Sequence, residues 1–313
     1  MVAFSASGAR AAAPPTEPPP AYGTPHTADF TIHNFQFRSG ESLRRLRIHY
    51  ATFGTPRRDA NGRVINAVLI LHGTGGAGTT FIRPQFAGEL FGPGQLLDDS
   101  KYFIILPDGI GHGKSSKPSD GLRMRFPHYD YADMIEAQHA LVQSLGIERI
   151  RLIMGTSMGC MQAFMWAETW PDAVQAMQPM ACLPTRIVGR NRLWRRMIID
   201  AIEHDPAWDG GDYKREPKEG LRAAEDITII AGSAAHQMQK VLDTPEKVQK
   251  YLDDNMRAAL DGVLPDGGKV PPDDADDLIY AIDSSRDYDP SARLEDIKAD
   301  VMWINSADDF INP

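Results

Sequence analysis

One serine of this 313-residue chain has the sequence surroundings of a catalytic nucleophile. Ser157 stands in the pentapeptide Gly-Thr-Ser-Met-Gly, residues 155–159, directly after the apolar run Ile150–Met154. The next residues, Cys160–Trp170, have a helical pattern that ends before Pro171. This order predicts a sharp strand-to-helix turn that presents the serine hydroxyl above a sheet, with glycines where a Cβ would collide with neighbouring elements. The context favours a nucleophile over a purely structural turn.

A serine that attacks a carbonyl needs hydrogen-bond donors for the developing oxyanion. The first predicted donor is the backbone N–H of Met158, which follows the serine. The second is expected in the glycine-rich loop Leu71–Gly78, which follows an apolar strand. Thr74 is the preferred residue of that loop, with Gly73 or Gly75 as alternatives. The loop lacks the Lys-Ser/Thr of a phosphate-binding loop, which argues against a nucleotide site.

A serine nucleophile also needs a base, and the base needs an orienting acid. Asp308 and Asp309 follow the predicted strand Val301–Ile304 near the end of the chain. Paired acidic residues in loops are commonly turn formers. The order serine, then aspartate after a late strand, nevertheless favours one of the two as the acid of a triad.

The elements that position these residues alternate between strands and helices. Two early runs, Phe30–Phe37 and Leu46–Phe53, alternate polar and apolar residues, which is typical of an antiparallel pair. Continuous apolar runs predict parallel strands buried on both faces at Ala67–Leu71, Tyr102–Leu106, Ile150–Met154 and Ala176–Cys182. The clearest helix is Tyr131–Leu145, which Gly146 ends. The pattern predicts an α/β fold with a mainly parallel sheet.

The strand pattern stops between residues 184 and 288 and returns at Asp300–Asn305. Arg192–Glu203 and Thr244–Leu260 are helix candidates within this stretch. We therefore predict a core of residues 26–183 and 289–313, with a helical cap, residues 184–288, inserted after the sixth strand. A separate small domain without a role at the site is the alternative.

The first 25 residues are rich in Ala, Pro, Ser and Gly, and such a composition does not pack a core. They are predicted to be either a disordered tail or the remnant of a secretory signal. A secretory signal would place the protein in the periplasm or outside the cell. If the segment is only a tail, a cytoplasmic protein is expected.

The bulk composition excludes several classes of function. The net charge of −9 argues against a general nucleic-acid binder, and no apolar run approaches the ~20 residues of a membrane span. Two cysteines, Cys160 and Cys182, are too few for a disulfide framework and have no metal-ligand spacing. Cys160 is predicted to be a small packed residue. We expect neither a cofactor nor a metal, and we expect a small-molecule ester or acyl substrate. We expect no nucleic-acid partner and no membrane partner, and whether the protein forms a homodimer is left open.

Several segments together resemble one family. The likeness is carried by residues 126–138, by Leu145-Gly-Ile, by residues 155–163, and by 196–202 with 205–213. These segments resemble the homoserine O-acetyltransferase family, whose members have the α/β-hydrolase fold. The resemblance implies a Ser–Asp–His triad in that chain order. It favours Asp309 over Asp308, because Pro313 follows Asp309 at the spacing typical of the superfamily.

The chain departs from that family in its predicted cap. Gly220-Leu-Arg-Ala-Ala-Glu225 ends in glutamate where the resemblance implies an arginine that holds an amino-acid substrate. Arg222, three residues before Glu225, is predicted to reach the same helical face. The glutamate favours a carboxylic ester hydrolase over acetyl transfer from acetyl-CoA to homoserine.

The chain also departs from the family at the base. All nine histidines precede the predicted acid, whereas the family order places the base last. His72 belongs to the oxyanion-loop pattern, and His112 is disfavoured as a substitute base by chain order. We expect a C-terminal truncation that omits the last strand, the histidine and a closing helix. An inactive fragment or a non-catalytic binding protein is the remaining alternative.

Overall fold

A computed structural model describes residues 21–312, which form a seven-stranded sheet flanked by helices. The strands run β1 His26–Gln36, β2 Ser42–Phe53, β3 Ala67–Leu71, β4 Phe103–Pro107, β5 Leu152–Thr156, β6 Ala176–Met180 and β7 Asp300–Val301. Their order across the sheet is β1-β2-β4-β3-β5-β6-β7. Most of the predicted N-terminal tail, residues 1–20, and Pro313 lie outside the described residues.

The sheet is antiparallel at one edge and parallel elsewhere. β1 pairs with β2, and β2 pairs with β4, in antiparallel register, whereas β4, β3, β5, β6 and β7 are parallel. β3 and β4 are buried along their whole length, as expected of strands covered on both faces. The predicted α/β fold with a mainly parallel sheet is confirmed.

The α-helices of the described residues are α1 Ala87–Leu90, α2 Tyr131–Ser144, α3 Met158–Thr169, α4 Gly189–Glu203, α5 Lys218–Gly232, α6 Ala235–Val241, α7 Pro245–Asp261 and α8 Ala275–Asp283. Two of them, α2 and α3, are long helices that pack against the sheet. Asp130 caps α2 by accepting from the Asp133 N–H at 2.9 Å. Between α2 and α3, Gln138 donates to the buried Gln162 and accepts from Trp166 Nε1. This satisfied network sets the position of α3 against α2.

Helices α4 to α8 lie between β6 and β7 in the chain and have a small apolar core of their own. Ile198, Ile202, Leu221 and Ala224 are almost completely buried in that core. The predicted helices Arg192–Glu203 and Thr244–Leu260 correspond to α4 and α7. We refer to α4–α8 with their connections as the cap.

Ion pairs attach the cap to the sheet-bearing part of the chain. Lys117 pairs with Asp277 at 2.9 Å, and Arg123 pairs with Asp274 at 3.1 Å. The Tyr280 hydroxyl donates to the Phe126 carbonyl. These half-buried contacts orient α8 over the carboxyl ends of the strands.

The last strand is shorter than predicted. β7 comprises Asp300–Val301, but parallel hydrogen bonds continue as Met302 N–H donates to Met177 O and Ile304 N–H donates to Pro179 O. The ladder therefore reaches the predicted strand end at Ile304. Within residues 21–312, no helix has both the length and the apolar character to cross a membrane, and no group of His, Cys, Asp or Glu side chains has metal-binding geometry.

Candidate active site

Ser157 lies at the tight turn between β5 and α3. Its backbone has φ 51° and ψ −111°, a strained conformation for a residue with a side chain. Its N–H donates to the Met180 carbonyl at 2.9 Å, and its carbonyl accepts from the Met161 N–H at 3.0 Å. The hydrogen bonds on both sides hold the strained turn, which is the geometry of a nucleophile elbow.

The glycines on either side of Ser157 are required by close backbone approach. A Cβ on Gly155 would overlap the Gly159 carbonyl, and a Cβ on Gly159 would overlap the Leu71 carbonyl of β3. The small residues thus allow α3 to begin directly against the central strands. This was the physical reason that the sequence motif suggested.

The glycine-rich loop after β3 passes next to the serine. Gly73 lies against Ser157, since a Cβ on Gly73 would be 3.6 Å from the Ser157 Cβ. Gly76 N–H donates to Gly73 O at 3.0 Å and Gly75 has φ +75°, so residues 73–76 form a β-turn. The turn's own hydrogen bond leaves the Thr74 and Gly75 N–H groups unused. Met158 occupies the first position of α3, where an N–H has no intrahelical partner.

His72 holds this loop rather than reacting. Its Nε2 accepts from the Gly109 N–H at 2.9 Å, so its Nδ1 carries the proton and donates to the Gly73 carbonyl at 2.8 Å. Burial lowers the pKa of His72 to about 4, so the ring stays neutral. Both ring nitrogens are therefore engaged, and His72 sets the position of the glycine-rich loop 71–78.

Cys160 and Cys182 form a disulfide. Cys160 is in the first turn of α3 and Cys182 follows β6, and both are fully buried. The sequence indicated a packed Cys160, but two cysteines 22 residues apart carried no signal for pairing. The bond joins the helix that begins at Ser157 to the segment that follows the neighbouring strand.

Asp309 lies in a turn beyond the end of the β7 ladder. Its Oδ1 accepts from the backbone N–H groups of Ile311 at 2.9 Å and Asn312 at 2.8 Å. Asp308 is exposed, whereas Asp309 is partly buried. Since β5, β6 and β7 are parallel neighbours, the turn lies at the same sheet edge as Ser157.

Asn312 anchors this acidic turn and was missed by sequence reasoning. It is buried, its Nδ2 donates to the Ala181 carbonyl at 2.9 Å, and its Oδ1 accepts from Asn191 Nδ2 at 3.1 Å. Asn191 in turn accepts from the buried guanidinium of Arg195 at 2.8 Å. The chain of contacts connects the acidic turn to α4 of the cap. Only the proximity of Asn312 to Asp309 in the sequence hinted at such a role.

No described histidine contacts Ser157 or Asp309. His49 pairs with Asp29, His128 with Glu41, and His139 stacks on Trp170, all away from the serine. His204 Nδ1 donates to the Asp200 carbonyl at 2.7 Å at the end of α4. The residues of the site that the structure brings together are Ser157, Met158, the turn 73–76 and the acidic turn. Their catalytic roles stay predictions.

His112 borders the cavity that also contacts Gly75, Gly76 and Glu225. Its Nδ1 pairs with the Ile110 carbonyl at 2.8 Å, its ring lies 5.0 Å from that of His72, and its Nε2 is buried without a partner among the described residues. Burial and the neighbouring His72 lower the pKa of His112 to about 3. The ring is therefore neutral, and its buried Nε2 is an acceptor without a donor among the described residues.

Glu225 also borders this cavity. It is the residue of the cap that stands where the family resemblance implies an arginine. Burial, and then the charges of Asp273 and Asp226, raise the pKa of Glu225 to about 7. Arg222 is exposed and does not line the cavity. That it reaches the same helical face as Glu225 stays a prediction.

The fold assignment rests on sequence and structure together. Residues 66–214 match the sequence model of the family described as alpha/beta hydrolase fold. The chain has the α/β-hydrolase fold. Its elbow at Ser157 and the glycine-rich turn 73–76 lie where the strand order of the sheet brings β3 and β5 together.

Relatives of this α/β-hydrolase-fold chain include acyltransferases. It is 35% identical over 219 residues to a homoserine O-acetyltransferase from Pelobacter propionicus, which covers 64% of this chain and 57% of the relative. The chain thus spans little more than half the length of the curated relatives that it matches. Solved structures with similar folds include an acetylester hydrolase from Corynebacterium glutamicum (TM-score 0.76, 23% identity, 92% and 82% of the two chains). A homoserine O-acetyltransferase from Bacillus anthracis is similar as well (TM-score 0.77, 22% identity, 93% and 85%).

Proposed function

We propose that the protein is a serine-nucleophile acyl hydrolase that cleaves carboxylic esters through an acyl-enzyme. The observation that carries this proposal is the strained Ser157 between β5 and α3, with the turn 73–76 beside it. A strained elbow that places a hydroxyl next to unused backbone N–H groups is suited to attack on a carbonyl.

In the proposed reaction Ser157 Oγ attacks the ester carbonyl while a base takes its proton. The N–H groups of Met158 and Thr74 donate to the oxyanion of the tetrahedral intermediate, and the start of α3 adds a favourable dipole. The intermediate collapses, the alcohol leaves with the proton from the base, and Ser157 remains acylated. Water, activated by the same base, then releases the acid.

We assign the base to neither of the two buried histidines nearest the glycine-rich turn. His72 uses both ring nitrogens, and His112 is neutral with a strongly lowered pKa, so neither is suited to accept the serine proton. Asp309, half-buried and held by Asn312, would orient the base through its second carboxylate oxygen.

Acyl transfer is the second candidate, favoured by the 35% identity to a homoserine O-acetyltransferase. The same acyl-enzyme would form from acetyl-CoA, and an alcohol in place of water would accept the acyl group. Glu225 in the cavity argues against homoserine as the acyl acceptor, because the Glu225 carboxylate would repel the carboxylate of an amino acid.

The test is covalent labelling of the full-length protein with a fluorophosphonate probe. We expect a mass shift on the tryptic peptide that carries Ser157, none in Ser157→Ala, and full labelling in the matched control Ser144→Ala, which changes an exposed serine of α2. Absence of labelling on Ser157 in folded protein contradicts the proposal and supports a non-catalytic binding protein.

One further measurement separates the two enzymatic alternatives. Acetyl-CoA turnover with and without homoserine distinguishes a transferase from a hydrolase.

A further inference from the structure

A cavity of about 490 Å³ lies between the glycine-rich loop 71–78 and the cap. One wall is formed by Gly75 and Gly76, which continue the turn beside Ser157, and by His112. The opposite wall is formed by Glu225 of α5 and by Asp273, just before α8. Gly75 and Gly76 belong to the turn 73–76, whose Gly73 lies against Ser157.

The carboxylates of this cavity differ in whether they have a cationic partner. Asp277 pairs with Lys117, and Asp274 pairs with Arg123. Glu225 and Asp273 form no ion pair and no side-chain hydrogen bond with any residue in the range 21–312. Glu225 is partly buried, whereas Asp273 beside it is exposed. A partly buried carboxylate without a partner is costly to keep charged, and the cost falls when a bound cation pairs with it.

His112 supplies an independent indication of a ligand. It is 5% exposed, and its Nδ1 donates to the Ile110 carbonyl, so the unpartnered Nε2 is a hydrogen-bond acceptor. A buried acceptor without a donor destabilises a folded protein. A ligand that brings an N–H or O–H group into the cavity relieves this destabilisation.

Several donors of the cavity wall are already engaged. Gly76 N–H donates to the Gly73 carbonyl and Ala77 N–H donates to Thr80 Oγ1. Lys117 is held by Asp277. Glu225 and Asp273 have no such partner among residues 21–312, so their end of the cavity suits a positively charged group.

We propose that this cavity binds the alcohol part of an ester whose alcohol carries a protonated amine, with Glu225 and Asp273 pairing with the ammonium and His112 accepting from an N–H donor. The placement of the ester bond at Ser157 rests on the proposed function, whereas recognition of the ammonium does not. Desolvation of the carboxyl groups raises the pKa of Glu225 to about 7 and that of Asp273 to about 6, and a bound cation lowers both.

Calorimetric binding of three alcohols of matched shape tests the proposal on the full-length protein. The alcohols are 3-(dimethylamino)propan-1-ol, its neutral analogue 4-methylpentan-1-ol, and the anion 4-hydroxybutanoate. We expect the amine to bind about tenfold more tightly than the neutral alcohol, a difference of ~1.4 kcal/mol, and the anion to bind most weakly. Glu225→Gln should remove most of this preference. Glu219→Gln, which changes an exposed acid on the same helix, should leave it intact.

The binding experiment distinguishes failure of this inference from failure of the proposed function. Equal affinity for the amine and the neutral alcohol, or preference for the anion, overturns the cavity assignment even if Ser157 is labelled by the probe. A preference that survives Glu225→Gln and Asp273→Asn together overturns it as well. A preference for the amine in a protein whose Ser157 resists labelling leaves the cavity assignment in place and contradicts the hydrolase proposal.

Discussion

The side chain of Asn312 donates a 2.9 Å hydrogen bond to the main-chain carbonyl of Ala181, the residue that follows β6. Ala181 has φ 57°, and its N–H donates to Ile304 O at the end of the β7 ladder. Asn312 therefore connects the turn that carries Asp309 to Ala181, which follows β6. The neighbouring strand β5 leads into the elbow at Ser157. The turn that carries Asp309 is positioned by this contact more than by its own sequence.

Asn312→Ala tests this positioning. The variant leaves the Ala181 carbonyl and the Asn191 side chain without their buried partner, which we expect to cost about 1–3 kcal/mol of stability. If Asp309 orients the base, kcat for ester hydrolysis by the full-length protein should fall about tenfold or more, with little change in KM. Asn305→Ala, which removes only a contact to the Asn312 carbonyl, is the control and should lose less. An unchanged kcat in folded Asn312→Ala protein contradicts the role assigned to the turn.

Gly159→Ala tests the close approach of α3 to β3. The new methyl group would overlap the Leu71 carbonyl, and backbone on both sides prevents an easy shift. We expect a loss of about 3 kcal/mol or more in the free energy of unfolding, measured by urea titration. Gly232→Ala at the end of α5, where no atom lies within 4 Å of the new Cβ, is the matched control and should change stability by less than about 1 kcal/mol. Similar values for both variants would show that the elbow is not tightly packed.

The disulfide between Cys160 and Cys182 should stabilise the fold. Closing a loop with a sequence separation of 22 restricts the unfolded chain, which is worth about 3 kcal/mol. We expect dithiothreitol, or the double substitution Cys160→Ala with Cys182→Ala, to lower the urea midpoint with little change in slope. Thiol counting in unfolded, unreduced protein checks the premise. Two free thiols in that assay would contradict the pairing.

Binding of the amine-bearing alcohol should depend on pH. The pKa of Glu225 is raised to about 7 and that of Asp273 to about 6, so both carboxyls lose charge as the pH falls through those values. Other titratable groups also line the cavity or act on Glu225 from the surrounding elements. They are the acids Asp226, Asp274 and Asp277, the base Lys117, and His112, which is neutral.

Since only the charged carboxylates attract an ammonium, affinity should rise from about pH 5.5 to about pH 8, and binding should release protons. An alkylammonium stays charged over this interval, so the ligand does not cause the change. Calorimetry in two buffers of different ionisation enthalpy measures the protons released. The neutral 4-methylpentan-1-ol is the control and should bind independently of pH. Tighter binding of the amine at the lower pH contradicts the assignment.

The β7 edge exposes apolar side chains in the described part of the chain. Met302 and Trp303 are 64% and 46% exposed, and β7 has no neighbour on its outer side among residues 21–312. An exposed apolar edge strand favours association. We expect the 313-residue form to associate with rising concentration in light scattering, and Met302→Lys to reduce this. Leu193→Lys, on exposed α4 of the cap, is the control and should have little effect. A 313-residue form that stays monomeric at high concentration contradicts the expectation.

Much of the sheet was predictable because the signals for its strands are local. β3 and β4 are buried on both faces, and a run such as Ala67–Leu71 shows this in five residues. β7 was the exception, since Asp300–Val301 keeps regular strand geometry for only two residues although its ladder reaches Ile304. Its length depends on what lies beside it in space, which periodicity does not reveal.

The amino-acid sequence by itself determined the elbow at Ser157, because Gly155 and Gly159 answer a steric demand that is confined to five residues. It also determined the order of strands and helices, which follows from hydrophobic periodicity. Tertiary structure alone decided the pairing of Cys160 with Cys182 and the acceptor character of the cavity.

The physical reason is that a side chain's role depends on burial and on partners distant in the chain. His72 became a loop anchor because Gly109, 37 residues away, donates to its ring. The pKa of Glu225 is raised because the side chain is buried and, secondly, because the charge of Asp273 lies near it. Residue type and spacing specify which chemistry is available, and the folded chain specifies which groups remain free to perform it.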